Sequence, residues 1–208
     1  MMKRFDKEFE DKLEQTIGAV EEKTSAEVVV AIAPSSDAYV DTYFKGGLVL
    51  SFITLLYLLY APLYFSEIFV PIIIAVTFAL GALIVHFFPP IKALLISSKR
   101  KRHHVHREAY AYFLEKELTE TMDRTALLVY ISLLEKKCQL IPDKGVESAI
   151  PLGEWQELQS HFQQLFTGKK PLPQAIIETL SQVVAYFSEY LPPLEDNIDE
   201  LPNRLRKA

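Results

Sequence analysis

The chain has 208 residues, a net charge of −5, 13 Phe, 10 Tyr, seven Gly and a single Cys. The acidic balance excludes a nucleic-acid binder, and the lone Cys138 excludes an internal disulfide framework and suits a reducing compartment. So few glycines, with no G-x-S-x-G and no Cys–His pairing near Cys138, also speak against nucleotide-loop folds and an evident catalytic nucleophile.

The chain opens with Lys3, Arg4, Asp6, Lys7 and Glu8, charges that interrupt any apolar signal-peptide core, so no cleavable leader is expected. Phe5, Phe9, Leu13, Ile17 and Val20 recur at three- and four-residue spacing and predict an amphipathic helix. Ala26–Ala33 (AEVVVAIA) is β-branched, nearly continuous in apolarity and bounded by turn residues. It predicts a strand covered on both faces. Ser36 is then placed to cap a short helix running through Lys45.

Gly46–Leu63 and Phe69–Phe88 contain no Asp, Glu, Lys or Arg. Each matches the roughly 20 apolar residues that a helix needs to cross a hydrocarbon core about 30 Å thick. The link Tyr64-Phe65-Ser66-Glu67-Ile68 admits only a tight turn, Pro62 closes the first run and Pro89-Pro90 closes the second. Val76, Ala79, Gly81 and Ala82 are small residues available for helix contact, although no GxxxG is present. The link carries no Lys or Arg, whereas Lys45 precedes the hairpin and Lys92, Lys99, Arg100, Lys101 and Arg102 follow it. The positive-inside rule therefore puts both ends of the chain in the cytoplasm, in a cytoplasmic (inner) membrane. Lys99–Arg102 is expected to meet anionic lipid head groups at around 1 kcal/mol per basic residue. That attraction explains the neighbouring His103-His104-x-His106 tract better than a metal site does. His86 reads as an interfacial residue beside Phe87 and Pro89.

Beyond the basic segment a helix is expected to Thr121, then strands at Ala126–Leu134 and Lys137–Ile141 forming an antiparallel hairpin. Helices follow at Gly153–Phe166 and Pro173–Tyr190, and then a tail with Glu195, Asp196, Asp199 and Glu200. The organisation expected is 1–45 and 108–191 as two parts of one domain, 46–88 as the membrane hairpin, 89–107 as a basic juxtamembrane segment and 192–208 as a polar tail. Because neither soluble part has enough strands alone, Val28–Ile32 should pair with Leu127–Ile131 across the insertion. The expected fold is a small α/β/α sandwich split by an inserted two-helix transmembrane hairpin.

Thr24-Ser25-Ala26-Glu27-Val28-Val29-Val30, Asp123-Arg124-Thr125-Ala126-Leu127-Leu128-Val129-Tyr130-Ile131-Ser132 and Asp143-Lys144-Gly145-Val146 resemble the core of the TPM domain family. That family includes secreted and membrane-anchored bacterial proteins and thylakoid lumen proteins linked to photosystem repair. One bacterial branch carries a helical pair inserted in the domain, and this chain is similar to that branch. The resemblance implies an α/β/α sandwich, calcium binding in some members and weak acid phosphatase activity in a few. Ala126 stands where the family usually has Gly.

Asp123 and Asp143 are the first candidates for a site. One precedes a strand and the other follows its hairpin partner, so antiparallel pairing sets the two positions side by side. Glu27 and Glu147 are the acids that would complete an oxygen-ligand set for a divalent cation such as calcium, with no other cofactor implied. The competing reading is that Asp123 and Asp143 are turn residues bonding their own backbone. The sequence favours a membrane-anchored binding or assembly factor for membrane proteins over an enzyme. A metal-dependent phosphatase and a subunit of a membrane transport complex are the alternatives.

Overall fold

A computed structural model describes residues 5–61, 66–193, 201, 203 and 205–207. Lys3, Arg4, Pro62, the link residues Tyr64 and Phe65, and the acids Glu195, Asp196, Asp199 and Glu200 lie outside the described residues. The chain divides into two compact units, Met1–Ser36 with Arg102–Ala208, and Asp37–Lys101.

The first unit is a mixed α/β fold. Helix α1 (Lys7–Glu21) starts where Asp6 accepts a hydrogen bond from the Phe9 N–H at 3.0 Å, satisfying one of the orphan donors of a helix start. Its apolar stripe, Phe9, Leu13, Ile17 and Val20, is buried as the spacing predicts. Strand β1 (Glu27–Ala33) follows, with every residue buried. Strand β2 (Ala126–Ser132) lies parallel beside it in the register Val28↔Leu127 to Ile32↔Ile131, the pairing expected across the insertion. Strand β3 (Lys137–Pro142) runs antiparallel to β2.

Alternation along the strands sends their side chains into two clusters. Val28, Val30, Ile32, Leu127, Val129 and Ile131 pack with α1 and with two later helices, α7 (Leu152–Gln163) and α8 (Leu172–Tyr190). Val29, Ala31, Ala33, Leu128 and Tyr130 pack with Val105, Ala109 and Phe113 of the helix Ser98–Glu115. A strand buried on both faces tolerates no alternating polar residue, which is why β1 and β2 read as unbroken apolar runs. The two-residue strand Arg206–Lys207 completes the sheet beside β1, in the order β3, β2, β1 and this last strand.

The second unit is built on helices α2 (Asp41–Tyr60) and α3 (Phe69–Phe87), followed by α4 (Pro89–Leu94) and the start of α5 (Ser98–Glu115); the final strand is thus β4. Both long helices are apolar and long enough to cross a membrane by length and composition, and only 17% and 11% of their apolar windows are buried. Their hydroxyls turn back on their own helix: Ser51 donates to the Leu48 carbonyl at 3.2 Å and Thr54 to the Leu50 carbonyl at 3.0 Å. Thr77 donates to the Ile74 carbonyl, also at 3.0 Å.

The two helices touch through glycine. A Cβ on Gly81 would stand 2.5 Å from the Gly46 carbonyl oxygen, and one on Gly47 would stand 2.8 Å from the Phe78 ring. Gly46-Gly47, which the sequence offers only as the start of an apolar run, is therefore half of the helix contact. Of the small residues expected there, Gly81 is buried, whereas Val76 and Ala79 face outward.

Several boundaries depart from expectation. Helix α2 begins at Asp41 with no side-chain cap, so Ser36 does not start it; that serine is buried in a network described below. Helix α5 starts at Ser98, taking in the basic tract, and ends at Glu115 rather than Thr121, with Glu117 in a left-handed conformation, φ 53°. Asp143, weighed above as a turn residue, instead caps a short helix α6 (Lys144–Ala149). The cap of α6 is local, whereas Ser36 is held away from the start of α2 by Glu135 and Ser132, far along the chain.

Gly81→Ala should destabilise the hairpin by about 1–3 kcal/mol, the usual cost of overpacking a tight contact. Gly153→Ala is the control, since a Cβ there meets nothing within 4 Å and alanine suits a helix better than glycine. Thermal unfolding in detergent should show a lowered midpoint for the first and an unchanged or raised one for the second.

Candidate functional site

The acids singled out by the sequence cluster at one end of the sheet, where β1 and β2 begin and β3 ends. Ala126 there accepts from the Asp143 N–H at 2.8 Å, and the Glu27 N–H donates to Thr125 at 3.2 Å. The chain positions of Asp123 and Asp143 come together as β-pairing predicts, but the two carboxylates do not share a site. Asp143 is 3% exposed; Arg124 donates from Nε and Nη2 to its two oxygens at 3.2 Å each, and the Lys144 N–H donates to Oδ1 at 2.7 Å. Arg124 holds a left-handed conformation, φ 55°, and its carbonyl accepts from the Gly145 N–H at 2.8 Å. A Cβ on Gly145 would fall 2.5 Å from the Asp123 carbonyl oxygen and 2.7 Å from that of Arg124. Asp143-Lys144-Gly145 is thus explained as a lock: an acceptor for Arg124, and a residue without a side chain where two backbones meet.

Asp123 and Glu147 are exposed. Glu27 is buried and accepts from the Leu201 N–H at 3.3 Å. Among the described residues, no group of three or more His, Cys, Asp or Glu side chains is arranged to hold a metal. Calcium takes six to eight oxygen ligands; with both Asp143 oxygens engaged by Arg124, these four acids do not fit such a site.

The opposite end of the sheet holds a polar cluster that the sequence reading missed. Beyond β1, the Ser36 N–H donates to Glu135 Oε1 at 2.9 Å, and Ser35 Oγ donates to the same oxygen at 3.5 Å. Ser132, the last residue of β2, donates to Glu135 Oε2. Ser36 Oγ in turn donates to Ser132 Oγ at 2.9 Å and reaches the Tyr130 hydroxyl at 3.5 Å. Tyr130, Ser132, Glu135 and Ser36 are all buried. The signal available was Ser132 interrupting an apolar run with Glu135 three residues on. The carboxyl ends of parallel strands are where open α/β sheets commonly bind ligands. Here, however, both serine hydroxyls are engaged within the cluster and the carboxylate receives a backbone N–H, so the chemistry is that of a latch joining two loops. Burial pushes the Tyr130 phenol up to about 12 and raises the Cys138 thiol, leaving it protonated and unreactive.

In the second unit, the base of the hairpin carries a charged and aromatic cluster. Arg100 pairs with Asp41 at 2.6 Å and approaches Asp37 at 3.8 Å, while its guanidinium lies 5.2 Å from the centre of the Tyr39 ring. Lys92 donates to the Ala38 carbonyl at 2.6 Å and to the Tyr43 hydroxyl at 3.0 Å, and Lys45 pairs with Asp41 at 2.8 Å. Tyr39 is buried in a left-handed conformation, φ 48°, and its carbonyl accepts from Thr42 Oγ1 at 2.6 Å. Lys99–Arg102 is therefore not a uniform row of basic groups: Arg100 turns to the two aspartates, whereas Lys99 and Arg102 are exposed.

No protein-family model matches the chain, and no curated protein does. Among solved structures it is similar to the NMR structure of the BA42 protein from the psychrophilic bacterium Bizionia argentinensis. The identity is 17%, the match covers 98% of this chain and 94% of that one, and the TM-score is 0.59. The likeness is one of fold.

Two predictions follow from these contacts. Asp143→Ala should cost about 1–2 kcal/mol through the lost cap and the abandoned Arg124, while Asp123→Ala should stay within about 0.5 kcal/mol, as exposed substitutions do; denaturant unfolding separates them. Tyr130, raised to about 12, keeps its proton in the fold while the unfolded chain loses it near about pH 10. Its contribution is intact below about pH 10 and is lost as pH rises towards 12, at up to about 1.4 kcal/mol per pH unit. Tyr130→Phe should flatten that part of the stability–pH curve.

Proposed function

We propose that α2 and α3 cross a membrane as a hairpin inserted in an α/β/α sandwich of the TPM type, and that the protein is a membrane-anchored binding or assembly factor for membrane proteins. The observation that carries the membrane reading is the exposure of the hairpin. Leu48, Phe52, Leu59, Phe69 and Phe87 are each about 60–70% exposed, and soluble monomers rarely leave contiguous apolar patches beyond a few hundred Å². Hydrocarbon is the solvent that such a surface suits. Backbone groups paired within each helix, and hydroxyls bonded to their own carbonyls, suit it equally.

The charged cluster sits at the base of the hairpin, with Tyr39 and Tyr43 beside it, as interfacial residues do. Basic residues at that end support a cytoplasmic base. Asp37 and Asp41 neutralise Arg100, and Lys99 and Arg102 are the groups offered to anionic head groups. The absence of an evident nucleophile, and the engagement of Asp143 with Arg124, favour binding over a metal-dependent phosphatase.

The membrane reading predicts that the protein stays with the membrane through alkaline carbonate extraction; release into the supernatant overturns it. Orientation is read from single-cysteine reporters, since Cys138 is buried and silent. An impermeant maleimide added outside intact cells should label Glu67→Cys and spare Lys101→Cys. For the assembly role, a photo-reactive amino acid at Tyr110 or Leu114, both exposed on α5, should give adducts with membrane proteins. Adducts with lipid alone would sink that part of the reading.

A further inference from the structure

Lys45, Lys92 and Arg100 gather at the base of the hairpin, and they are not equally compensated. Arg100 and Lys45 both pair with Asp41, at 2.6 and 2.8 Å. Among the described residues, Lys92 Nζ meets only neutral oxygens, the Ala38 carbonyl at 2.6 Å and the Tyr43 hydroxyl at 3.0 Å. The side chain is half-buried, with its ammonium 4.9 Å from the centre of the Tyr43 ring and 6.0 Å from that of Tyr39. Aromatic faces soften such a charge, but a cation partly withdrawn from water is costly without a counter-ion.

The donors left over lie together. An ammonium carries three N–H groups, and the Ala38 and Tyr43 oxygens take two of them. The Tyr43 oxygen accepts from Lys92, and its own O–H proton meets no acceptor among the described residues. One N–H and one O–H therefore remain, on atoms 3.0 Å apart. His86 borders them: its ring is exposed and centred 5.7 Å from that of Tyr43, and it adds a ring N–H. Helix α4, which carries Lys92, has no buried residue and exposes Ile91 and Leu94. Apolar side chains flanking a lysine in this way suit the boundary between head groups and acyl chains.

We propose that Lys92 and Tyr43, bordered by His86, bind the phosphodiester of an anionic phospholipid, which acts as the counter-ion of Lys92. The inference rests on the membrane reading and adds a defined site to the diffuse attraction at Lys99 and Arg102. Lysine binds phosphate as a point charge, and the phenol O–H gives the contact direction. A head group with a single net negative charge balances Lys92. A zwitterionic one sets its own ammonium near the lysine and is disfavoured. Free phosphate shares the chemistry of the head group, and dependence on acyl chains separates the two.

The test uses the full chain, stripped of lipid in detergent, with binding titrated by native mass spectrometry. The probes are a short-chain phosphatidylglycerol, a phosphatidylcholine with the same chains, and inorganic phosphate. The intact protein should bind phosphatidylglycerol about ten-fold more tightly than either of the others. Lys92→Met, which removes the charge and keeps most of the stem, should weaken binding about ten-fold, as loss of one charge-assisted hydrogen bond does. Tyr43→Phe should weaken it about three-fold, the scale of a neutral hydrogen bond. A variant with Lys99→Gln and Arg102→Gln should bind as the intact protein does. Unchanged binding by Lys92→Met overturns the proposal, and so does loss of binding confined to the Lys99 and Arg102 variant. If Lys92→Met fails to fold by near-ultraviolet circular dichroism, Tyr43→Phe decides, and unchanged binding there counts against the site. Equal binding of phosphatidylcholine overturns the counter-ion role, and phosphate binding as tightly as the lipid overturns the lipid assignment. If no lipid binds while the protein withstands carbonate extraction, the site is wrong and the membrane reading stands. Lipid held by a protein that carbonate releases would keep the site and remove the membrane spans.

Discussion

Everything in the α/β unit depends on one pairing, that of β1 with β2. The two strands come from opposite sides of the long apolar helices, and their seven-residue parallel register runs from Glu27↔Ala126 to Ala33↔Ser132. Closing so distant a pair carries an entropic cost that grows only slowly with the intervening length. The insertion is therefore thermodynamically tolerable, provided the pair buries enough. It does: every residue of both strands is buried, and fully burying a Val, Leu or Ile is worth about 1.5–3 kcal/mol. The polar devices at the two ends of the sheet serve this pair. Arg124 and Asp143 fix where β2 begins relative to the end of β3, and Glu135 ties the residues after β1 to those ending β2.

The hairpin is held by a different force. Its helices approach closely because Gly46, Gly47 and Gly81 lack side chains, which lets dispersion act between backbones. Its base is held by directed contacts. Asp41 receives both Arg100 and Lys45, and Lys92 is shared between a carbonyl and the Tyr43 hydroxyl. This pairs the inbound and outbound segments of the hairpin, 37–45 and 92–100, within one unit.

The acids give the clearest case of what composition cannot convey. Asp123, Asp143, Glu27 and Glu147 are the residue types a cation site needs, and β-pairing does bring the first three positions to one end of the sheet. Yet Asp143 is spoken for by Arg124, Glu27 receives a backbone N–H, and Asp123 and Glu147 face solvent. A carboxylate's role follows from which donors reach it, and donors far apart in sequence are arranged by the fold. The same reasoning explains why Glu135 went unnoticed: beside a lysine in a tight turn it reads as solvated, and only the return of Ser36 from the end of β1 buries it.

The sequence by itself determined the long elements and their order, though not α6 or β4. Periodicity marked α1, α7 and α8, unbroken β-branched runs marked β1 and β2, and two uncharged stretches marked the long helices, because these patterns are local and strong. It also determined that β1 must find β2, since neither part could otherwise cover its apolar strand. Only the tertiary structure decided where α2 starts, which glycines form the helix contact, which basic groups are already paired, and that Arg206–Lys207 pair beside β1. Those outcomes rest on contacts between distant segments, in which a single glycine, carboxylate or carbonyl is chosen by geometry, and no local pattern carries that choice.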